Sequence, residues 1–307
     1  MARIFAATEA ETFREGGERK ALLSRSDHHL RWGRVSGRLR QVAADNERIA
    51  AEGRYQAADG TIVEVGPALR AAMAGTVSHP PDGPLERAGA GTYRTVSEVT
   101  GEGSLGAARR LHLDGATGIA VLNFASARNP GGGYLNGAKA QEEDLCRHAL
   151  LYPCLLRAPD YYAFHRASAD LLYSHRVIWS PGVPVHRGED GRLLAEPYLV
   201  SFLTSPAPNA GQVLRRDPGA GERVRRALDE RAGRVLEVAA HHGARALVLG
   251  AWGCGVFRND PRQVAGAFHT HLTEGFAGVF ERVVFAVWDR NPESANRAAF
   301  AERFPAG

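Results

Sequence analysis

An apolar run that leads into a glycine turn and then into a group of acids constrains the fold of this chain more than any other feature. Residues 118–122 are apolar (GIAVL), glycines occupy 131–133, and Gln-Glu-Glu follows at 141–143. Consecutive glycines serve mainly where φ must be positive or where a ligand approaches the backbone. A strand, a glycine turn and acids at the start of a helix together predict a phosphate-binding turn beside acid/base chemistry.

A second glycine loop follows a second apolar strand later in the chain. Residues 250–257 read GAWGCGVF and leave the predicted strand at 246–251. They lead to Asn259, Asp260 and Pro261, where a capping residue before a first-turn proline predicts a helix start. Successive backbone N–H groups in such turns form anion-binding nests. The two loops together predict a site that holds a diphosphate between them, although either one alone is equally typical of a tight turn.

Apolar strands alternate with helical segments from residue 92 to the end of the chain. The predicted strands lie at 93–99, 118–124, 176–180, 198–204, 246–251 and 283–288, and the predicted helices at 104–111, 141–151, 161–173, 221–242, 261–275 and 293–304. Continuously apolar strands alternating with helices indicate an α/β fold, in which a mixed sheet is covered on both faces. Ligands in such folds bind outside the strand ends.

The first 90 residues are more polar and predict a mainly helical extension that packs on a catalytic core formed by residues 91–307. The predicted elements there are a helix that ends at Gly53, a hairpin over 55–65, a helix over 67–74 and a loop over 79–92.

Composition excludes several classes of protein. With 44% hydrophobic and 23% charged residues over 307 positions, the chain is ordinary for a globular protein, and no apolar run reaches the roughly 18 residues of a membrane span. Its three cysteines form no Cys-x-x-Cys pair and do not predict a disulfide framework or a zinc site. We therefore expect a cytoplasmic protein that uses neither a metal nor another cofactor.

The basic residues are almost all arginine, with Lys20 and Lys139 as the two lysines, and the net charge is +4. Arginine binds phosphate through paired hydrogen bonds. Between Lys20 and Arg40 six basic residues face the single acid Asp27. That stretch is typical of a solvated basic surface, and the alternative is a surface that attracts a polyanion.

The two glutamates at 142 and 143 are expected to have different roles. They are neighbours in sequence, so on a helix their side chains point about 100° apart. Acids in the first turn of a helix also complement the helix dipole without any catalytic role. A helix N-terminus lowers the pKa of a carboxyl group, whereas a general acid needs a proton near neutral pH, so burial, a neighbouring carboxylate or a bound diphosphate has to raise it.

Most aromatic and cysteine side chains near the strands are expected to have structural roles. Trp179, Trp252 and Trp288 adjoin predicted strands and are expected in the core, with Trp252 also shaping the loop that follows it. Cys254 lacks the histidine and asparagine pattern of a thiol nucleophile. Ser104 is expected to cap the helix that it begins.

These motifs together resemble the bacterial-type poly(ADP-ribose) glycohydrolases, which are macrodomain enzymes with a GGG-x(6–8)-QEE signature. The signature here runs from 131 to 143, after NFASARNP, and the loop GAWGCGVFRN follows later; RVIWSPGV at 176–183 and SFLTSPAPN at 201–209 are also similar. The resemblance extends from about residue 49 to the C-terminus. It implies a macrodomain-like mixed sheet between helices, with the helical extension before it.

The resemblance implies a role for each matching residue. Glu143 corresponds to the catalytic acid/base, and Glu142 to the neighbour that hydrogen-bonds the ribose hydroxyl and the scissile region. The diphosphate is expected on residues 253–255, the distal ribose against Val256 and Phe257, and the adenine beside residues 289–291. The implied substrate-binding residues are Gln141, Asn129, Gly131, Gly132, Gly133, Gly253, Cys254, Gly255, Val256, Phe257, Asp289 and Asn291.

The activity implied by the resemblance is hydrolysis of ribose–ribose O-glycosidic bonds in poly(ADP-ribose), through an oxocarbenium-like transition state, with release of ADP-ribose. The expected partners are the polymer or ADP-ribosylated proteins, with no requirement for nucleic acid or a membrane, and the expected state is a monomer. Two alternatives remain: an ADP-ribose-binding module without turnover, and a hydrolase of mono-ADP-ribosyl groups or O-acetyl-ADP-ribose. The glycine loops do not separate them, whereas the Gln-Glu-Glu favours a hydrolase.

Overall fold

A computed structural model of the chain describes residues 25–86, 91–289, 291 and 293–305, with side chains from residue 36 onward. Its strands are β1 (Arg54–Gln56), β2 (Ile62–Glu64), β3 (Val77–His79), β4 (Val96–Thr100), β5 (Ile119–Phe124), β6 (Val177–Arg187), β7 (Leu193–Ser205), β8 (Ala246–Leu249) and β9 (Arg282–Ala286). Lys20, where the basic stretch begins, and Arg290 lie outside the described residues.

The helices alternate with these strands as the sequence predicts. They are α1 (Arg25–Glu52), α2 (Gly66–Gly75), α3 (Ser104–Leu113), α4 (Gln141–His148), α5 (Leu151–Leu155), α6 (Pro159–Ala167), α7 (Ala210–Arg216), α8 (Gly221–His241), α9 (Pro261–Thr273) and α10 (Ala295–Arg303), with a 3₁₀ turn at Tyr134–Asn136. No described helix combines the length and the apolar character that a membrane crossing requires.

Seven strands form one sheet in the order β3-β6-β7-β5-β8-β9-β4. The five strands from β7 to β4 run parallel, whereas β6 is antiparallel to β7 and β3 is antiparallel to β6. The predicted mixed sheet is therefore confirmed. The separate antiparallel hairpin β1–β2, with Tyr55 opposite Val63, confirms the hairpin predicted around Gly60.

The sheet is buried on both faces because its strands are apolar at successive positions. In β5, Ile119 and Val121 belong to one hydrophobic core, and Ala120 and Leu122 belong to the other. Helices α1 to α6 contribute to the first core and α7 to α10 to the second. Alternation of side chains across a strand explains how one continuous apolar run serves two cores.

The carboxyl ends of the parallel strands lie along one edge of the sheet, which we call the carboxyl edge. The segments 125–140, 206–209, 250–260 and 287–294 leave β5, β7, β8 and β9 there. Because β6 is antiparallel, it begins at the same edge, and residues 168–176 lead into it. The carboxyl edge is the place where an α/β sheet binds ligands.

The N-terminal part of the chain contributes to both the core and the main sheet. Helix α1 ends before Gly53, whose φ of +73° is typical of a helix stop, as predicted. Strand β3 was not predicted; it ends at His79, where the loop predicted over 79–92 begins, and it pairs with β6 through His79 and Val177. The division of the chain at residue 90 remains a prediction, and β3 lies on the N-terminal side of it.

Two predicted helices are shorter in the structure. The helix predicted over 141–151 ends at His148 because Ala149 is extended and bridges to Val185 of β6. The helix predicted over 161–173 ends at Ala167, and the chain then turns back toward β6 through Tyr173, which has a φ of +60°. In both cases pairing or return to the sheet overrides local helix propensity.

The expected cap at Ser104 is wrong. Gly103 occupies the cap position of α3, and the Ser104 hydroxyl instead accepts a hydrogen bond from the Gln141 side chain at 3.1 Å. The cap predicted at Asp260 is confirmed, since its carboxylate accepts the backbone N–H of Arg262 at 2.8 Å.

Candidate active site

Two glycine loops meet at the carboxyl edge because they follow adjacent parallel strands. The first glycine loop, residues 131–133, follows β5, and the second glycine loop, residues 253–257, follows β8. The acids predicted for catalysis begin α4, directly after the first loop. The structure therefore brings both predicted motifs to one end of one pair of strands.

Glu142 is buried against the end of β5. Its Oε2 accepts the backbone N–H of Ser126 at 2.6 Å, and its Oε1 accepts from the Asn123 amide at 3.3 Å. With 3% of its surface exposed, burial raises the pKa of Glu142 to about 8, although these hydrogen bonds lower it. Burial therefore favours the protonated form of this carboxyl group.

Glu143 points toward the first glycine loop. Its Oε1 accepts the backbone N–H of Gly133 at 2.8 Å, and its Oε2 accepts that of Ala140 at 2.8 Å. The second bond is the glutamate half of a capping box at the start of α4. The two neighbouring acids thus point in different directions, as the helix geometry predicts, and both side chains are buried.

Gln141 ties the start of α4 to β5. Its Oε1 accepts the backbone N–H of Phe124 at 2.9 Å, and its Nε2 donates to the carbonyl oxygen of Leu122 at 2.8 Å. The side chain therefore bonds the strand end much as a neighbouring strand would. Since the protein already engages both ends of its amide, Gln141 is suited to orienting the two acids.

Gly132 leaves no space for a side chain. Its φ is +57°, and a Cβ atom there would lie 2.5 Å from Oε1 of Glu143 and 3.1 Å from Oε2 of Glu142. Both the backbone conformation and the close approach of the acids require glycine. The first glycine loop is thus shaped around the two carboxyl groups.

The second glycine loop presents unused backbone donors. No described residue accepts a hydrogen bond from the backbone N–H groups of Gly255, Val256 and Phe257. A Cβ at Gly255 would meet no protein atom within 4 Å, so the space beside it is open. Successive free N–H groups beside open space form a concave donor set suited to an anion such as a diphosphate.

Asn259 and Gly253 hold the second glycine loop in this shape. The Asn259 amide donates to the carbonyl oxygens of Pro208 at 2.8 Å and Gly253 at 3.1 Å. Gly253 has a φ of +72°, and a Cβ there would lie 2.4 Å from the Asn259 amide nitrogen. The buried Trp252 donates from its indole to the carbonyl oxygen of Ser205 at 3.1 Å, which confirms that it is in the core and shapes this loop.

Val256 and Phe257 lie at the outer end of the second loop. Val256 is 88% exposed, an unusual state for a valine, and Phe257 is half-buried with its ring centroid 6.1 Å from that of Tyr173. Tyr173 and Arg258 have positive φ values of 60° and 56°, which non-glycine residues seldom adopt. Strained backbone of this kind is typical of functional sites.

The remaining predicted contacts lie on the same edge. Asn129 is exposed, and no described residue hydrogen-bonds its side-chain amide. Asp289 and Asn291 follow β9 and fix a turn: Asp289 accepts from the Ser294 hydroxyl at 2.7 Å, and Asn291 accepts the backbone N–H of Glu293 at 3.0 Å. These two side chains thus shape the end of β9.

Cys254 has no activated thiol. It is partly buried, and burial raises the pKa of the thiol to about 12, so the thiolate is scarce at neutral pH. Within the described part of the chain, no group of three histidine, cysteine or acidic side chains has the arrangement of a metal site.

Sequence reasoning gave no role at this edge to three residues that contribute to it. Asn123, at the end of β5, binds Glu142 and the Thr204 hydroxyl, and Asn259 locks the second loop. Trp288, expected in the core, is instead 63% exposed directly after β9, so that expectation is wrong. The signal that could have identified the first two is an asparagine at the end of an apolar run, as at Asn123, or next to a glycine loop, as at Asn259.

Helix α1 contacts the turn that follows the first glycine loop and the end of α4. A Cβ at Gly137 would lie 2.5 Å from the carbonyl oxygen of Ser36, and the Tyr134 hydroxyl donates to that of Ala43 at 3.3 Å. The buried Asn46 donates to the carbonyl oxygen of Arg147 at 2.8 Å, in the last turn of α4. The N-terminal helix thus contacts both ends of the segment that carries the acids.

Comparison with protein families gives a match at the same residues. The family model of the microbial-type PARG catalytic domain matches residues 43–188, a span that includes α4 and the first glycine loop. Curated proteins gave no significant match by sequence.

Solved structures resemble most of the chain. Poly(ADP-ribose) glycohydrolase (PARG) from Thermomonospora curvata is 48% identical, with a TM-score of 0.80, over 87% of this chain and 100% of its own; it has also been solved with the inhibitor ADP-HPD. The enzyme from Deinococcus radiodurans in complex with ADP-ribose is 46% identical, with a TM-score of 0.73, over 78% of this chain and 98% of its own.

Proposed function

The chain belongs to the microbial-type poly(ADP-ribose) glycohydrolases, and from this membership we propose how its residues release ADP-ribose from the polymer. The proposal rests chiefly on two glycine loops that follow adjacent strands and use their backbone N–H groups in different ways. One loop encloses two carboxyl groups, and the other presents free N–H donors. An acid and an anion-binding nest side by side match a substrate with a diphosphate next to a glycosidic bond.

We propose that the terminal ADP-ribose unit lies along the carboxyl edge, across the strand ends. The backbone donors of Gly255, Val256 and Phe257 bind the diphosphate at β8. The distal ribose lies between Phe257 and the acids at β5. The adenine lies at β9, beside Asp289 and Asn291. The exposed ring of Trp288 at the same place is suited to stack on it.

Glu143 is the proposed acid/base. In its protonated form it donates the proton to the oxygen that leaves C1″ of the distal ribose, as the bond between that carbon and oxygen breaks. The ribose then carries the positive charge of an oxocarbenium-like ion. Water attacks C1″ and gives a proton to the Glu143 carboxylate, which restores the acid. Free ADP-ribose and a polymer shorter by one unit are the products.

Glu142 is proposed to bind the ribose hydroxyl beside the scissile bond. Because burial raises its pKa to about 8, the neutral form of this carboxyl group is available near neutral pH. A neutral carboxyl group both donates and accepts a hydrogen bond, which suits contact with a hydroxyl group. Binding energy from the diphosphate then fixes the sugar relative to the acid.

The competing functions predict different products. A binding module would release nothing from any substrate, and a hydrolase of mono-ADP-ribosyl groups or O-acetyl-ADP-ribose would act on those without shortening the polymer. We expect the purified chain to release ADP-ribose from poly(ADP-ribose), with much slower turnover of mono-ADP-ribosyl protein and O-acetyl-ADP-ribose. Chromatographic quantification of ADP-ribose from the three defined substrates is the test. An intact polymer at high enzyme concentration would contradict the proposed function.

The monomeric state, the independence from nucleic acid and the cytoplasmic location are proposals as well. One chain supplies both loops and both acids, which supports activity as a monomer without nucleic acid. The buried, unpaired Cys146 and Cys154 support a reducing, cytoplasmic setting.

A further inference from the structure

The order of the strands gives the substrate a direction along the carboxyl edge. On the proposed function, from which this inference proceeds, adenine lies at β9, the diphosphate at β8 and the distal ribose at β5. The next strands in the sheet are β7 and β6. The group that leaves the distal ribose therefore extends toward the corner where residues 168–176 lead into β6.

Two exposed arginines lie at that corner. Arg128 is in the segment between β5 and the first glycine loop, and Arg166 is in the last turn of α6. The Arg166 guanidinium donates to the carbonyl oxygen of Arg128 at 2.9 Å, and the Arg128 guanidinium donates to that of Ser168 at 2.9 Å. Each guanidinium group is thus tied to a backbone carbonyl of this corner, and each belongs to an exposed residue and has further N–H donors.

No acid neutralises this pair among the described residues. Neither Arg128 nor Arg166 forms an ion pair there. The nearby Asp160 pairs with Arg176 at 3.5 Å, and Asp170 accepts the backbone N–H of Leu172 at 2.9 Å. Two guanidinium groups of one sign, fixed near each other without a partner, attract an anion.

Nearby positive charge at the same corner lowers the pKa of a buried histidine. Burial chiefly lowers the pKa of His165 to about 4, and the charges of Arg231, Arg176 and Arg128 lower it further. Arg231 is itself fully buried and donates to the carbonyl oxygens of Pro206 and Leu172, and it forms no ion pair with any carboxylate that the structure describes. The corner therefore combines surface and interior positive charge.

We propose that Arg128 and Arg166 form a subsite for the diphosphate of the next ADP-ribose unit, on the leaving-group side of the scissile bond. Guanidinium groups bind phosphate oxygens in pairs, and this geometry suits a diphosphate better than a single carboxylate. The subsite distinguishes polymer from a single ADP-ribose attached to protein, because a single unit has no phosphate beyond the bond that breaks. Recognition of this second diphosphate thus adds to the selection made by the site that binds the terminal ADP-ribose unit.

The test compares two substrates in one variant. Poly(ADP-ribose) carries the additional diphosphate, whereas an α-linked ADP-ribose glycoside of 4-nitrophenol has an uncharged leaving group. We expect the double variant Arg128→Gln, Arg166→Gln to lose about tenfold in kcat/KM on polymer, at roughly threefold for each exposed phosphate contact. Its kcat/KM on the glycoside serves as the internal reference and is expected to change less than twofold. The loss on polymer should shrink as salt is raised.

Matched variants separate charge from local structure. Arg192→Gln removes an exposed arginine at the β6–β7 turn, on the opposite edge of the sheet, and is expected to leave both substrates unchanged. Arg128→Lys with Arg166→Lys keeps the charge but loses the paired donors of each guanidinium group, so it should recover only part of the polymer activity that the glutamine variant loses.

Two results would overturn the subsite. Equal losses on polymer and glycoside would mean that the arginines only support the first glycine loop, and an undiminished polymer rate would mean that they are solvated surface. An unaltered chain that turned over the glycoside but not polymer would instead overturn the proposed function itself.

Discussion

The two glycine loops look alike in sequence but use their backbone donors in opposite ways. In the first loop, Gly133 donates to Glu143 at 2.8 Å and Gly132 donates to the carbonyl oxygen of Asn129 at 3.0 Å. In the second loop, Gly255, Val256 and Phe257 have no acceptor among the described residues. The first loop therefore holds the acids, and the second has backbone donors that are suited to an anion.

This difference refines what a glycine run indicates. The sequence predicts that two loops hold a diphosphate between them, because both follow strands and both are rich in glycine. In the structure only the second loop has backbone donors left for a ligand. A glycine run followed by acids at the start of a helix therefore indicates that the protein's own carboxylates accept from its backbone N–H groups. A glycine run without such acids indicates backbone N–H groups that remain available to a substrate.

The largest expected effect comes from the acid that the first loop holds. We expect Glu143→Gln to lower the turnover of poly(ADP-ribose) by about 10³-fold, since general acid/base catalysis contributes about 10² to 10⁴. The amide keeps the shape of the side chain, so the Kd for ADP-ribose should stay within a few-fold. ADP-ribose release and isothermal titration calorimetry measure the two quantities.

Asp144→Asn is the matched control for that variant. Asp144 is the next acid along α4 and is exposed, so its loss should leave turnover nearly unchanged. If Glu143→Gln kept more than a tenth of the activity, or if the control lost as much, the assignment of the acid would be wrong.

A pair of glycine substitutions tests the contrast between the loops directly. Gly132→Ala places a methyl group 2.5 Å from a catalytic oxygen, and displacement of the acid should lower kcat by about 100-fold. Gly255→Ala meets no protein atom within 4 Å, so we expect an unchanged Tm but about tenfold weaker ADP-ribose binding, from overlap with the ligand. Turnover at saturating substrate, calorimetric Kd and thermal unfolding separate the two results. Similar behaviour of both variants would remove the distinction between the loops.

A pH-dependent change in stability is expected at Glu142. Its pKa rises from 4.5 to about 8 on folding, so its favourable contribution is fully present below about pH 4.5 and is lost as the pH rises through 8. Glu142→Gln does not titrate. We therefore expect its free energy of unfolding to increase relative to the unaltered chain by about 1.4 kcal/mol per pH unit inside this window.

Urea unfolding of both proteins at pH 5, 6, 7 and 8 measures that difference. A constant offset between the two curves would show that the carboxyl group does not change its proton affinity on folding.

Much of the fold could be predicted from local pattern because strand and helix periodicity are properties of short segments. The strand Ile119–Phe124, the stop at Gly53 and the cap at Asp260 each depend on a few adjacent residues. The end of α4 could not be predicted that way. Ala149 leaves the helix in order to pair with Val185, a residue that is distant in sequence.

The site shows the same limit. Spacing could predict that Glu142 and Glu143 point in different directions, since helix geometry fixes it. It could not predict that Glu142 is the buried acid with the raised pKa, because that depends on where β5 and Ser126 lie. Trp288 shows the reverse error: it continues an apolar strand pattern, but the strand ends two residues earlier and the ring faces solvent.

The contact of Asn46 with α4 links distant parts of the chain. Asn46 donates to the carbonyl oxygens of Cys146 and Arg147, and its own oxygen accepts from His186 at 2.9 Å and Arg187 at 3.0 Å. Three segments about 40 to 100 residues apart therefore share one polar junction. Truncation of α1 would remove the donor that these carbonyl groups have at the end of α4, so the N-terminal helix and the segment that carries the acids depend on each other for their shape.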